Sequence, residues 1–292
     1  MRFSKAGREI QLALLLQNAV VYQNVYLNTM KLRHLVTRPM KWVLAKAGWD
    51  VVKTYPGWDL IQRDRYGYDP FLDIERLSRL WKYSVRVFFD VGANDGATIR
   101  WAKSAFPNCR VVAFEPHPET FLRLKENTRG FENLELVNMA LGDKTAEVQM
   151  FEYDESVLNS LLPNAPFAVR FSRNSREIKV PCTTIDEFCA ANGIAKIDVL
   201  KIDTEGFDLQ VFNGASSMLK DNSINFLYFE FNDIQQKEET QGGALAPIDN
   251  FIRPFGYRFI AAYNDAIEPH DDVFTISNAL YALPPAAKAG SD

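Results

Sequence analysis

Val87-Phe88-Phe89-Asp90-Val91-Gly92-Ala93-Asn94-Asp95-Gly96 is the stretch on which the fold turns. It begins as a short apolar run, the pattern of a parallel strand covered on both faces. It then breaks into a Gly-x-x-x-Gly turn, and Ala97-Thr98-Ile99-Arg100-Trp101-Ala102-Lys103 reads as the start of a helix. Strand, glycine turn and helix together form a nucleotide-binding arrangement, because glycines let backbone approach a ligand and the helix start offers unpaired N–H groups. Further on, a second apolar strand, Val111-Val112-Ala113-Phe114, ends in Glu115. A carboxylate there is placed to accept both hydroxyls of a ribose, so the expected ligand is an adenosine-bearing cofactor.

Working outward, 292 residues suffice for one large domain with an appendage. A hydrophobic fraction of 47% with 24% charged residues excludes the disordered and fibrous classes. Cys109, Cys182 and Cys189 form no C-x-x-C pair. That argues against a disulfide framework or zinc site and for a reducing, cytoplasmic setting. No run of 18 uninterrupted apolar residues predicts a membrane span.

The net charge of −4 conceals an asymmetry: residues 1–49 hold eight Lys/Arg against the single acid Glu9. The same segment is rich in Leu and Val, which a nucleic-acid arm would not be, so no nucleic-acid partner is expected. Residues 8–27 read as an apolar helix, and 31–48 as a basic segment that could form a second one. Gln17, Asn18, Gln23 and Asn24 interrupt the run and no small-residue cleavage site follows, which disfavours a signal peptide. Packing or homodimer formation is the favoured role, and peripheral contact with an anionic membrane surface is the alternative. The expected domains are a helical extension and linker over 1–83, a catalytic domain over 84–283 and a disordered tail over 284–292.

From residue 86 strands and helices alternate, the mark of a doubly wound parallel α/β sheet. Strands are predicted at 87–91, 110–114, 134–137, 197–202 and 224–231, with two terminal strands near 257–262 and 273–282. Helices are predicted at 97–105, 118–128, 207–219 and 245–253. Thr184 is a candidate cap for a helix through Ile185-Asp186-Glu187-Phe188. Between them lies a β-rich excursion with candidate strands at 147–151 and 177–180. Its polar stretch 154–176 is the candidate substrate loop. The segment 49–70, punctuated by Tyr55-Pro56-Gly57-Trp58 and Gly67-Tyr68-Asp69-Pro70, reads as a loop-rich linker before a helix over 71–83.

Dinucleotide sites use G-x-G-x-x-G, whose crowded glycines admit a pyrophosphate. Here the spacing is Gly92-x-Asn94-x-Gly96, with a polar side chain in the middle. S-adenosylmethionine has no pyrophosphate and tolerates the looser turn, and Asp90 suits its cationic aminoacyl end. An NAD-dependent dehydrogenase is therefore the weaker alternative.

Four motifs now stand in order: Phe89–Gly96, Ala113-Phe114-Glu115-Pro116, Asn138-Met139-Ala140-Leu141-Gly142-Asp143 and Asp198-Val199-Leu200-Lys201-Ile202-Asp203-Thr204-Glu205-Gly206. With them the region 85–282 resembles the FkbM family of S-adenosylmethionine-dependent methyltransferases. The resemblance implies a class I methyltransferase (Rossmann-like) fold, a seven-stranded mostly parallel sheet whose last strand is antiparallel. It also implies O-methylation, in many members of a sugar or polyketide hydroxyl, and hence a small-molecule or glycan acceptor. His117 stands where members usually carry a small polar residue, and residues 1–70 lie outside the resemblance.

Mapped onto this chain, Asp90, Gly92, Asn94 and Gly96 hold the aminoacyl end, Glu115 the ribose, and Asn138 and Met139 the adenine. Asp203 and Glu205 follow the fourth strand beside the reacting centre, where one carboxylate could take the acceptor's proton. Lys201 shares a face with Asp203. The competing reading makes the two acids caps of the following helix and Lys201 their partner. Glu230 is a substrate-binding candidate, and His117 is assigned to adenosine packing or surface. Asp203, Glu205 and Glu230 have the hard oxygens a divalent cation takes, but nothing in their spacing demands one, so no metal is assigned. A non-catalytic cofactor-binding scaffold, docking through its basic N-terminal segment, is the alternative outside enzymology.

Overall fold

The computed structural model describes residues 49–53, 58–62, 66–153, 156–163, 175–232, 244–268 and 274–285. The helices expected within 8–48, most of the loop 154–176 and the tail beyond 285 lie outside the described residues. The chain divides into two compact units, residues 1–68 and residues 69–292. In the first, strands β1 (Trp49–Lys53) and β2 (Trp58–Gln62) pair antiparallel, with Lys53 opposite Trp58. The linker expected there therefore contains a hairpin. Its short strands are masked in sequence by the Pro-Gly punctuation between them.

The second unit opens with helix α1 (Pro70–Trp81), started by Asp69, whose carboxylate accepts from the N–H groups of Phe71 and Leu72. Alternation then proceeds through β3 (Val87–Val91), α2 (Ala97–Ala105), β4 (Arg110–Phe114), α3 (Pro118–Asn127) and β5 (Leu134–Val137). After an excursion come α4 (Ile185–Ala191), β9 (Ile197–Ile202), α5 (Asp208–Asn213), α6 (Ser216–Lys220) and β10 (Ile224–Asn232). Helix α7 (Leu245–Ile252) and strands β11 (Arg258–Glu268) and β12 (Phe274–Ala282) complete the unit.

Seven strands form one sheet in the order β11-β12-β10-β9-β3-β4-β5. β12 runs antiparallel to both neighbours, whereas β10, β9, β3, β4 and β5 are mutually parallel. The topology reverses direction beside β3, between β4 on one side and β9 on the other, and ligands of such sheets bind at the strand ends there.

The apolar runs are continuous because both faces are covered. On one face Phe88, Val111, Ala113 and Val199 pack with Phe71 and Ile74 of α1. On the other, Phe89, Val112, Phe114 and Leu200 pack with Ile185 of α4 and Phe212 of α5. β6 (Ala140–Leu141), β7 (Ala146–Glu152) and β8 (Arg176–Thr183) form the second sheet of the unit, in the order β6-β8-β7. β6 has only two residues, too few to show a period, and the sequence does not predict it.

The single helix expected over 207–219 is two, separated at Gly214. A Cβ there would lie 1.9 Å from the carbonyl oxygen of Gly142. The Gly214 carbonyl in turn accepts from the Asp186 N–H at 2.9 Å. The Asp186 carboxylate then accepts from the N–H groups of Ser217 and Met218, at 2.8 and 3.0 Å, and so starts α6. Tertiary partners impose the break. β11 extends further than expected, with register shifts near Phe259/Ala261 and Asn264/Ala266 that interrupt its alternation. Among the described residues no helix is long and apolar enough to cross a membrane.

Candidate active site

At the end of β3 the chain enters the glycine turn with Gly92 at φ +76°. A Cβ at Gly92 would sit 1.8 Å from the carbonyl oxygen of Asp203, so the glycine is required by the close approach of the turn after β9. The N–H groups of Gly92 and Ala93 both donate to the Phe114 carbonyl, at 3.0 and 2.9 Å. Asn94, also in the left-handed region at φ 44°, donates its N–H to Glu115 Oε2 at 2.9 Å. Gly96 faces Leu124 and Thr128, where α2 starts against α3, and does not line the cavity described below.

Glu115 follows β4, and its second oxygen accepts from the His117 N–H at 2.9 Å. Burial pushes its carboxyl up to about 7, opposed by the hydrogen bonds from the His117 and Asn94 N–H groups. Asn138 donates its side-chain amide to the carbonyls of Glu115 and Pro116, at 2.8 and 2.9 Å, and thereby fixes this turn. His117 is buried, and its Nδ1 accepts from the Thr120 N–H to start α3. Its Nε2 faces Glu152 Oε1 of β7 at 3.4 Å, and Arg176 of β8 holds the other oxygen of Glu152. His117, expected in adenosine packing or at the surface, is thus buried and outside the cavity lining described below, and it ties the turn after β4 to the excursion.

Lys201 lies beneath the turns. Its ammonium meets Asp90 Oδ1 at 3.1 Å and Asp203 Oδ2 at 3.2 Å, and donates to the Gly92 carbonyl at 3.0 Å. Asp90 is fully buried and Lys201 is 3% exposed. Burial by itself would lower the lysine; the charges of Asp203 and Asp90 override it and hold the group above its ordinary range. Burial likewise raises the Asp90 carboxyl, against the pull of Lys201. For Asp203 the order reverses: burial would raise it, but the Lys201 charge and the hydrogen bonds from Glu230 and Lys201 outweigh burial and keep it low.

The turn Asp203-Thr204-Glu205-Gly206 is strained: Glu205 adopts φ 52°, a region that costs non-glycine residues about 1–3 kcal/mol and concentrates at functional sites. Burial holds the Glu205 carboxyl well above the carboxylate range, reinforced by Asp203 and Asp208. Glu230 is raised the same way, by burial and then by Glu205 and Asp203. Asp208 is pushed up to about 7 by burial and the charge of Asp203. Helix α5 has Phe207 at its N-cap position and no side-chain capping bond there. Neither Asp203 nor Glu205 therefore caps it.

One cavity connects these parts. Gly92, Asn94, Glu115, Met139, Asp203 and Glu205 all line it. Asp90, Lys201, Asn138 and Glu230 are not in its lining; Lys201 and Asn138 support residues that are, Asp90 pairs with Lys201, and Glu230 stands in the acid cluster with Asp203 and Glu205. The excursion closes one side with residues the sequence does not single out. Ser156 Oγ donates to Asn94 Oδ1 at 3.4 Å and Ser160 Oγ to the Glu205 carbonyl at 3.0 Å, while Met150, Asn159 and Leu161 complete the wall. The loop 154–176 is marked by its polarity, but only tertiary docking selects which of its residues reach the site.

The family model for the methyltransferase FkbM domain matches residues 90–259 of the chain. The chain is 25% identical over 156 residues to the 2-O-methyltransferase NoeI of Sinorhizobium fredii, a match covering 50% of this chain and 63% of that protein. It is 30% identical over 149 residues to the hexuronic acid methyltransferase AglP of Haloferax volcanii, covering 50% and 56%. With the 31-O-demethyl-FK506 methyltransferase FkbM of Streptomyces tacrolimicus it shares 26% identity over 199 residues, covering 60% and 74%. The chain thus spans less than two thirds of the length of the first two relatives.

Proposed function

As the chain belongs to the FkbM methyltransferase domain family, we propose that it transfers a methyl group from S-adenosylmethionine to a hydroxyl of a sugar, glycan or related secondary metabolite. The observation that carries this reading is a single cavity lined by both Glu115 and the turn of Asp203 and Glu205, at the reversal point of the sheet. The donor set fits the cofactor. Each Glu115 oxygen accepts from one backbone N–H and keeps a lone pair for a ribose hydroxyl, and the apolar side chains of Phe114, Met139 and Leu141 offer a wall for a flat base. Bound there, S-adenosylmethionine supplies an electrophilic methyl group.

The chain's own residues do the rest. A sugar hydroxyl is a weak nucleophile until a base takes its proton. Glu205 is the free candidate, because one oxygen of Asp203 is held by Lys201. Lys201 spends its three contacts on Asp90, Asp203 and Gly92 and serves as a positioning residue. The relatives' names, a 2-O-methyltransferase and a hexuronic acid methyltransferase, support an oxygen acceptor on a sugar. Transfer of labelled methyl from S-adenosylmethionine to a glycan panel tests the reading. A protein that binds the cofactor yet labels none of the panel would favour the scaffold reading.

Cofactor affinity gives a separate check on Glu115. Hydrogen bonds to a charged acceptor contribute roughly 1.5–3 kcal/mol each. Glu115→Ala should therefore weaken S-adenosylmethionine binding at least about tenfold by calorimetric titration. The protonated carboxyl accepts less well than the carboxylate, so wild-type affinity should rise as pH increases through about 7. A folded Glu115→Ala protein with wild-type affinity would remove the ribose assignment.

A further inference from the structure

The turn that presents Glu205 is closed by the Phe207 N–H, which donates to the Thr204 carbonyl at 3.3 Å. Both of its central residues are left-handed, Glu205 at φ 52° and Gly206 at φ 96°. Gly, Asn or Asp suits the first of these places, and a longer side chain crowds the backbone there. A glutamate persists in such a conformation only where its surroundings over-determine the main chain.

Ser160 supplies one such constraint from the excursion. It is 1% exposed, and its main chain is already engaged: the Phe151 N–H donates to its carbonyl at 2.8 Å, and its own N–H donates to the Phe151 carbonyl at 3.2 Å. Asn159 Oδ1 accepts from the Tyr153 N–H at 2.9 Å and secures the same segment a second time. The Ser160 hydroxyl is therefore spare to the excursion's own closure. Its oxygen accepts from the Leu162 N–H at 3.1 Å, which leaves its one proton for the Glu205 carbonyl at 3.0 Å. The direction of that carbonyl is the ψ rotation of Glu205, the same rotation that sets how the side chain leaves the turn. Four positions earlier, Ser156 Oγ donates to Asn94. Asn94 and Glu205 are the two left-handed non-glycine residues in the cavity lining, so one five-residue segment touches both.

We propose that Ser160 is a positioning residue, whose hydroxyl pins the Glu205 carbonyl and thereby aims the Glu205 carboxylate at the acceptor. It works through Glu205 and exchanges no proton with the acceptor. Its effect on catalysis rests on the methyl-transfer reading with Glu205 as base, whereas the pin itself does not. Losing the hydroxyl leaves the carboxylate in place but free to point elsewhere, so the expected loss of turnover is smaller than that of Glu205→Gln.

Amide hydrogen exchange of the full chain, read by mass spectrometry without cofactor or acceptor, tests the pin directly. In Ser160→Ala the segment 203–207 should exchange roughly tenfold faster, with β4 unchanged. Ser160→Cys keeps the volume but donates weakly; it should change in the same direction and carries the test if the alanine variant does not fold. Glu147→Gln, at an exposed carboxylate paired with Lys179 on the same excursion, should exchange as the wild type does. On an acceptor labelled in the glycan panel, Ser160→Ala should lower turnover by about ten- to a hundredfold, with the KM for S-adenosylmethionine within a few-fold of wild type. Unchanged exchange at 203–207 in the Ser160 variants, or an equal rise in β4, would overturn the pin. Wild-type turnover in a Ser160→Ala enzyme whose turn has loosened would overturn the positioning role. Selective loosening in a protein whose wild type labels none of the panel would uphold the pin and overturn the methyl-transfer reading.

Discussion

Glu205→Gln should lower turnover by about 10²–10⁴-fold while S-adenosylmethionine affinity stays within a few-fold of wild type. The amide keeps the shape of the side chain and removes its ability to take a proton. The strained backbone at φ 52° and the hydrogen bond from Ser160 to the Glu205 carbonyl involve the main chain, so they survive the change. A split between turnover and cofactor affinity separates a base from a residue that merely shapes the pocket. Asp203→Asn should also be deleterious, but by another route: it weakens an ion pair to Lys201 and thereby disturbs the glycine turn. Turnover of the Glu205→Gln enzyme near the wild-type rate would remove Glu205 as the proton acceptor.

The largest effect on stability is expected at Lys201. Lys201→Met leaves the fully buried carboxylate of Asp90 without its counter-charge and withdraws the donor from the Gly92 carbonyl. Removing one partner of a buried pair costs about 3–5 kcal/mol. For a unit of this size the unfolding midpoint should fall on the order of 10 °C. Adding Asp90→Asn removes the stranded charge, so the double variant should regain part of the loss. Thermal unfolding of the two variants and the wild type measures this directly. A single variant as stable as the wild type would show that the Lys201–Asp90 pair contributes no stability.

The two experiments probe different layers of one site. Lys201 and Asp90 belong to its floor, below the cavity, and act by fixing where the Gly92 and Asp203 turns meet. Glu205 and Glu115 belong to its wall and act on whatever occupies it. Variants of the floor should move stability first and catalysis second, and variants of the wall the reverse.

Much of this was legible in one dimension. Strands at 87–91, 110–114 and 197–202 can be read from local pattern, since a strand covered on both faces is largely apolar at successive positions, and the half-buried edge strand at 134–137 from its place in the strand–helix alternation. The cap of α4 lies in the same class, because Thr184 acts on an N–H group three residues away; Asp69 and His117 cap α1 and α3 in the same local way, though the sequence reading did not single them out as caps. Glu115 and the acids after β9 were recognisable because parallel sheets bring their ligands to the carboxyl ends of the strands. What the tertiary structure alone decided depends on partners far along the chain. The break at Gly214 answers to Gly142 and Asp186. The two-residue β6 exists only as a partner of β8. Ser156 and Ser160 reach the cavity because Asn94 and the Glu205 carbonyl receive them. Asp90 shares its lysine with Asp203 across the β3–β9 pairing, an arrangement that no local spacing reveals. Local pattern specifies elements through contacts within a few residues, whereas packing and charge pairing join residues tens to more than a hundred positions apart.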